Sequence, residues 1–143
     1  MGQKPWSQNT DWQILSPAMT QLQIEIHPDR NALVSRALAL VKERIQAAIA
    51  ARGTCAIALA GGSTPKPLYE ALAEADLPWA QLQIFWGDER YVPASDPSSN
   101  AGMANTAWLD QVAIPTERLH HLPTHFAPVA DAAANSDPIV QQA

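Results

Sequence analysis

The sequence predicts an α/β fold, a mostly parallel open sheet with flanking helices, and three observations predict it. Short runs of strand character alternate with longer stretches of helical period, in the order βαβαβαβ that produces parallel sheets with right-handed crossovers. The run Thr54 to Ala60 is continuously apolar, which suits a strand buried on both faces. It passes directly into Gly61-Gly62-Ser63-Thr64-Pro65, a turn of the kind that hands a strand over to a helix.

The elements follow in order. Met1 to Thr20 are polar, carry Trp6 and Trp12 and show no period, so 1–20 read as an irregular arm. From Gln21, Leu22, Ile24 and Ile26 alternate with Gln21, Gln23 and Glu25, the signature of a half-buried strand that Pro28 ends. Asp29 to Arg52 places Leu33, Ala37, Leu40, Val41, Ile45, Ala48 and Ile49 at intervals of three and four, and Gly53 follows; this is an amphipathic helix with its C-terminal stop. After the buried strand and the glycine turn comes a second helix, Lys66 to Ala75. Pro65 and Pro67 fix its first turn, and Thr64 is the expected N-cap. Gln81 to Trp86 form a third strand through Leu82, Ile84 and Trp86. Ser99 is expected to cap a third helix with Ala101, Ala104, Trp108 and Val112 on one face. Arg118 to Leu122 read as a short fourth strand. The tail, 124–143, holds Pro128 and Pro138 around a weak helix candidate, Val129 to Ala134. It supplies nothing to close the sheet, so the α/β domain spans 21–123 and reads as truncated.

Composition sets outer bounds. The 143 residues suffice for one domain with its own core but not comfortably for two. A net charge of −5 gives no reason to expect nucleic acid or an anionic membrane as partner. No run is long enough to span a bilayer and no basic, then apolar leader opens the chain, so the expected location is cytoplasmic. Cys55 is the sole cysteine; it excludes an intrachain disulfide and a cysteine metal cluster, and within an apolar run it reads as a small buried hydrophobe.

The glycine turn is the first candidate site. A strand, a glycine turn and a helix start at this spacing leave the amides of Gly62, Ser63, Thr64 and Lys66 free beside two hydroxyls, an arrangement suited to phosphate. The spacing matches neither a P-loop nor a dinucleotide fingerprint. A tight strand-to-helix connection with no ligand explains these residues equally well. The second candidate is Trp86-Gly87-Asp88-Glu89-Arg90-Tyr91-Val92-Pro93, followed by Asp96 and Ser98-Ser99-Asn100. Ligands in open α/β sheets bind beyond the carboxyl ends of strands, so both loops are expected to face one crevice. One supplies amides and hydroxyls, the other a guanidinium and two carboxylates. Arg90 offers a planar fork of donors for phosphate oxygens. The alternative makes Asp88-Glu89-Arg90 a solvated loop with an internal ion pair.

Taken together, Leu59 to Pro65, Trp86 to Pro93 and Asp96 to Asn100 resemble 6-phosphogluconolactonase, within the superfamily that also holds glucosamine-6-phosphate isomerase/deaminase. The resemblance runs from about Gln21 to Pro123 and implies a Rossmann-like fold. It implies hydrolysis of 6-phosphoglucono-1,5-lactone to 6-phosphogluconate, in the oxidative pentose phosphate route, with no metal or organic cofactor. Carried over by position, Gly61, Gly62, Ser63 and Thr64 would line the sugar-phosphate site. Asp88 and Arg90 would face the substrate, with Arg90 on the phosphate. The isomerases usually carry Asp-Glu-Tyr where this chain has Asp88-Glu89-Arg90, so the arginine favours the lactonase. Family members are substantially longer, and their second half carries a Gly-x-Asp-Gly-His-type motif whose histidine is taken as the general base. This chain has no such motif. Asp88 is the one catalytic candidate, a weak base unless burial raises its pKa.

His120 and His121 should point to opposite faces of a strand. Pro123 keeps His121 and His125 from sharing a helical face as metal ligands would. These three and His27 read as structural or exposed. Other readings keep the sugar-phosphate partner but change the chemistry: a non-catalytic binder, an interaction fragment that self-associates through an exposed sheet edge, or isomerase/deaminase activity.

Overall fold

The computed structural model describes residues 23–124. Helix α1 (Arg30–Arg52) comes first. Asp29 has extended backbone, and its side chain accepts the Ala32 amide at 2.8 Å, satisfying a donor that a helix start leaves over. Gly53 ends the helix at φ 77° and donates its N–H to the Ile49 carbonyl. An L side chain is strained there, so glycine is the natural stop. The apolar stripe turns inward through the buried Ile45, with Leu38, Val41, Ala48 and Ile49 packed against the core.

Three parallel strands form the sheet in sequence order: β1 (Cys55–Leu59), β2 (Leu82–Trp86) and β3 (Leu119–His120). Helices α2 (Lys66–Ala73) and α3 (Asn100–Ala107) connect them. In the β1–β2 register Cys55 lies opposite Leu82, Ile57 opposite Ile84 and Leu59 opposite Trp86, so these six side chains share one face. That face packs on Tyr69 and Leu72 of α2 and on Ala101, Ala104 and Ala107 of α3. Trp108, wholly buried at the end of α3, has its ring 6.0 Å from Tyr69 and 6.1 Å from Trp79. Contacts of this kind add to the area they bury.

Four expectations need correction. Residues 23–27 form no strand, and Ile24 and Ile26 are 75% and 91% exposed; the order among the described residues is therefore αβαβαβ. A strand needs a partner for its backbone groups, and none pairs with this segment among the described residues. It is tied instead to α1, where the Arg36 guanidinium donates to both Glu25 oxygens at 2.7 Å. Strand β1 is buried on one face only, because Ala56 and Ala58 are exposed. Thr64 does not cap α2: Pro65 occupies that place with helical backbone (φ −78°, ψ −18°) and no side-chain cap bond. The fourth expected strand is present but shortened to Leu119–His120.

Two helices are also shorter than expected: α2 ends at Ala73, and α3 ends at Ala107, so Ala101 and Ala104 lie on its buried face while Trp108 and Val112 fall beyond it, on either side of a 3-10 turn. Ser99 caps α3 by accepting the Gly102 amide at 3.0 Å. Cys55 is buried, and burial pushes its thiol pKa up, away from the thiolate that a nucleophile needs. The arm with Trp6 and Trp12, and the tail with His125, Pro128, Pro138 and Val129 to Ala134, lie outside the described residues.

Candidate functional site

The glycine turn leaves the carboxyl end of β1, and the Asp88 loop leaves that of β2, one strand over. Gly87 donates its N–H to the Leu59 carbonyl at 3.0 Å, extending the strand pairing to the mouth of both loops. Tyr69, on α2, fixes the entry to the turn. Its hydroxyl donates to the Ala60 carbonyl at 2.8 Å and accepts the Ala60 amide at 3.0 Å. Burial raises the Tyr69 pKa, so the phenol keeps the proton that it donates.

Gly62 has φ 90°, a conformation that favours glycine. Gly62, Ser63 and Thr64 are exposed, and their amides donate to no described acceptor. They remain available to an anion. Gly61 is needed for a different reason. Its φ is not in the positive region, but a Cβ placed there would sit within van der Waals overlap of the Asn100 carboxamide, 2.7 Å from Nδ2 and closer still to Cγ and Oδ1.

In the second loop the three charged residues separate. Asp88 and Arg90 are exposed, and Arg90 forms no ion pair with a described residue. Glu89 turns inward, contrary to the expectation of two carboxylates in the crevice. Its oxygens accept the amides of Arg90 at 2.6 Å, Asn100 at 2.7 Å and Ala101 at 2.7 Å, and the Ser99 hydroxyl at 3.2 Å. Burial acts to raise its pKa, but the combined donors from Ala101, Asn100, Arg90 and Ser99 hold it below the ordinary value. Glu89 is thus an anion closing the start of α3, where free N–H groups and the helix dipole favour negative charge. The internal Glu89–Arg90 ion pair of the alternative reading is replaced by a bond to the Arg90 main chain.

Asn100 joins the two loops. It is 5% exposed, and its Nδ2 donates to the Asp88 carbonyl at 3.1 Å and to Asp88 Oδ1 at 3.2 Å. Sequence reasoning passed over it, although Ser98-Ser99-Asn100 was in view. A polar residue at a helix start reads as a cap, and only the register of β1 and β2 brings it to Gly61.

The surrounding cavities divide these residues. Thr64 lines one of about 520 Å³ together with His27, Asp29, Arg30 and Pro67. Lys66 lines another of about 360 Å³ with Ser95, Asp96 and Met103, and it also lies 3.8 Å from Glu70. Glu89 and His121 line a third of about 400 Å³. None of these contains both the glycine turn and Arg90; the recorded link between the two loops is Asn100, from Gly61 to Asp88. Arg30, beside Thr64, is a second cation that the sequence did not point to, since it belongs to the first turn of a distant helix.

The histidines have clear structural attachments. His120 stacks on Phe85 at 4.4 Å and approaches Gln83 Oε1 at 2.7 Å. His121 stacks on Trp86 at 4.3 Å, on the other face. Loss of water around the ring pulls the His121 pKa down; the Glu89 charge opposes this and His120 adds to it. The imidazole is therefore neutral at pH 7. Among the described residues no three metal-ligating side chains converge, and no helix is long and apolar enough to cross a membrane.

A family model for glucosamine-6-phosphate isomerases/6-phosphogluconolactonase matches residues 28–143. The chain belongs to this family. A 6-phosphogluconolactonase of Nostoc sp. is 54% identical over 101 residues, 71% of this chain and 42% of the relative. One from Synechocystis sp. is 53% identical over 111 residues, 77% of this chain and 46% of the relative. The chain thus spans about half the length of the curated relatives it matches. The solved 6-phosphogluconolactonase of Thermotoga maritima superposes with a TM-score of 0.72 at 28% identity, covering 76% of this chain and 50% of that one. A monomeric glucosamine-6-phosphate deaminase reaches 0.74 at 15% identity, which speaks for a shared fold alone. The two loops of the candidate site lie within the stretch that this family's model matches.

Proposed function

We propose that this chain carries the sugar-phosphate-binding half of a 6-phosphogluconolactonase, acting on 6-phospho-D-glucono-1,5-lactone and releasing 6-phospho-D-gluconate. One observation carries the reading: the amides of Gly62, Ser63 and Thr64 and the guanidinium of Arg90, free of partners among the described residues, stand on loops that leave adjacent strand ends, and Asn100 bridges those loops from Gly61 to Asp88. Amides and a planar guanidinium suit the phosphate. Asp88, exposed on the same loop as Arg90 and held by Asn100, is the catalytic candidate.

Hydrolysis requires water to add to the lactone carbonyl, a base to take its proton and the ring oxygen to leave. A positioned base contributes about 10²–10⁴-fold. The attachments of His120 and His121 to Gln83, Phe85 and Trp86 leave neither free to act as that base, which supports slow turnover by this chain on its own. Isomerase/deaminase chemistry is the weaker alternative because of Arg90.

Calorimetry with 6-phosphogluconate tests the reading, with unphosphorylated gluconate as control. Binding should require the phosphate, and Arg90→Ala should weaken it by about ten- to a hundredfold, the value of a charge-assisted hydrogen bond. Equal affinity for the two ligands would refute it. Lactone hydrolysis by this chain, after subtraction of the spontaneous rate, should fall well below that of the longer relatives; ammonia release from an amino-sugar phosphate should be absent.

A further inference from the structure

Asn100 approaches Gly61 more closely than any residue with a Cβ would allow, and its donor nitrogen rests on Asp88. We propose that Asn100 is a positioning residue that locks the Asp88 carboxylate to the glycine turn, so that the two loops act as one binding surface. The inference rests on the sugar-phosphate reading for its purpose, but its geometry stands independently.

Both halves of the side chain are constrained. The backbone of Asn100 is pinned because its N–H donates to Glu89 Oε1 at 2.7 Å. The orientation of the carboxamide follows from its neighbours: Nδ2 meets the Asp88 carbonyl and carboxylate, both acceptors, and a flipped amide would set oxygen against oxygen. The remaining face of the carboxamide lies against the Gly61 Cα. Positive φ is confined to Gly53 and Gly62 among the described residues, so alanine at position 61 meets no backbone strain. The atoms in its way are Oδ1, Cγ and Nδ2 of Asn100. Position 61 is therefore glycine on account of Asn100. Any displacement of Asn100 shifts the Asp88 rotamer and the start of the phosphate turn together.

A double-mutant cycle tests the packing half. Gly61→Ala alone should lower the melting temperature, and Asn100→Ala, which deletes all three obstructing atoms, should restore it in the double variant. The functional half is read by 6-phosphogluconate affinity. Asn100→Ala should lose about tenfold, the value of a lost hydrogen-bonding anchor, and the double variant should stay equally weak although its stability returns. Asn100→Asp gives a readout that a merely structural residue would not move. It sets a second carboxylate beside Asp88, and two such groups cannot both ionise easily. Its affinity should fall, relative to the parent profile, as pH rises and the added carboxylate takes on charge beside the phosphate site. Additive stabilities for positions 61 and 100 would overturn the proposal, as would parental affinity in Asn100→Ala. Should the parent chain bind no 6-phosphogluconate, the functional reading fails, and the stability cycle still decides whether Asn100 couples the loops.

Discussion

Glu89 illustrates how a charged residue in a site loop can serve the scaffold. Four donors from Arg90, Asn100, Ala101 and Ser99 surround its carboxylate, and they lower its pKa against the opposing effect of burial. In Glu89→Gln one oxygen becomes an NH₂ group facing donors. We expect this to destabilise the chain by about 2 kcal/mol at pH 7, the scale of hydrogen bonds to a charged group. The pH dependence has a definite sign. The folded pKa lies below the ordinary 4.5, so the unfolded chain takes up the proton first. The stabilisation is complete above that value and is lost as pH falls through the folded pKa. Urea unfolding of both proteins at neutral and acid pH should therefore show their difference shrinking on the acid side, and a gap that widens there would refute the assignment. In the sequence, Asp88, Glu89 and Arg90 are three adjacent charges with nothing to separate them. Their division into two outward groups and one inward cap arises only when β2 ends and α3 begins beside it. Ser99 was legible because a cap announces itself locally.

Within the unit of β1, glycine turn and α2, the Tyr69 hydroxyl bonds both polar groups of Ala60. Tyr69→Phe keeps the ring against Trp108 and leaves Ala60 N–H and C=O without their partner. The expected cost is about 1–3 kcal/mol, with amide exchange accelerated locally at Ala60 to Gly62 and not in α1. Exchange that rises uniformly would mean that the hydroxyl acts on global stability and not on the turn. The element scale is also where the sequence was most legible. The helix α1 was bounded by Asp29 and Gly53, and both caps are present. The strand expected at 21–26 was read from alternation alone, and alternation does not supply a partner. Thr64 was misplaced as a cap because Pro65, itself helical, already stands at the helix start.

At the scale of the molecule, strands in sequence order with right-handed crossovers place their connecting helices on the same side of the sheet. The observed packing agrees: α2 lies against α3 and α1 against α2, and the core forms where Leu59, Ile84 and Trp86 meet Tyr69, Leu72 and Trp108. The opposite face carries Ala56 and Ala58, both exposed, with Gln83, Phe85 and His120 half-buried beside them. Parallel sheets ordinarily have both faces covered; here the described residues cover one. Apolar runs announce that a strand is parallel, but they do not say which layer will cover it. This is why β1 read as buried on both sides. The two faces should respond oppositely to substitution. Ile84→Ala, at a wholly buried position, should cost about 3 kcal/mol through lost contacts and the cavity left behind. Ala58→Lys, one residue from Ile57 on the neighbouring strand but on the other face, should stay within about 0.5 kcal/mol of the parent. Denaturation midpoints of the two variants give the comparison. A lysine at position 58 as damaging as the loss at Ile84 would mean that the second face is covered in solution, and that the layer hiding it comes from residues outside 23–124 or from another copy of the chain.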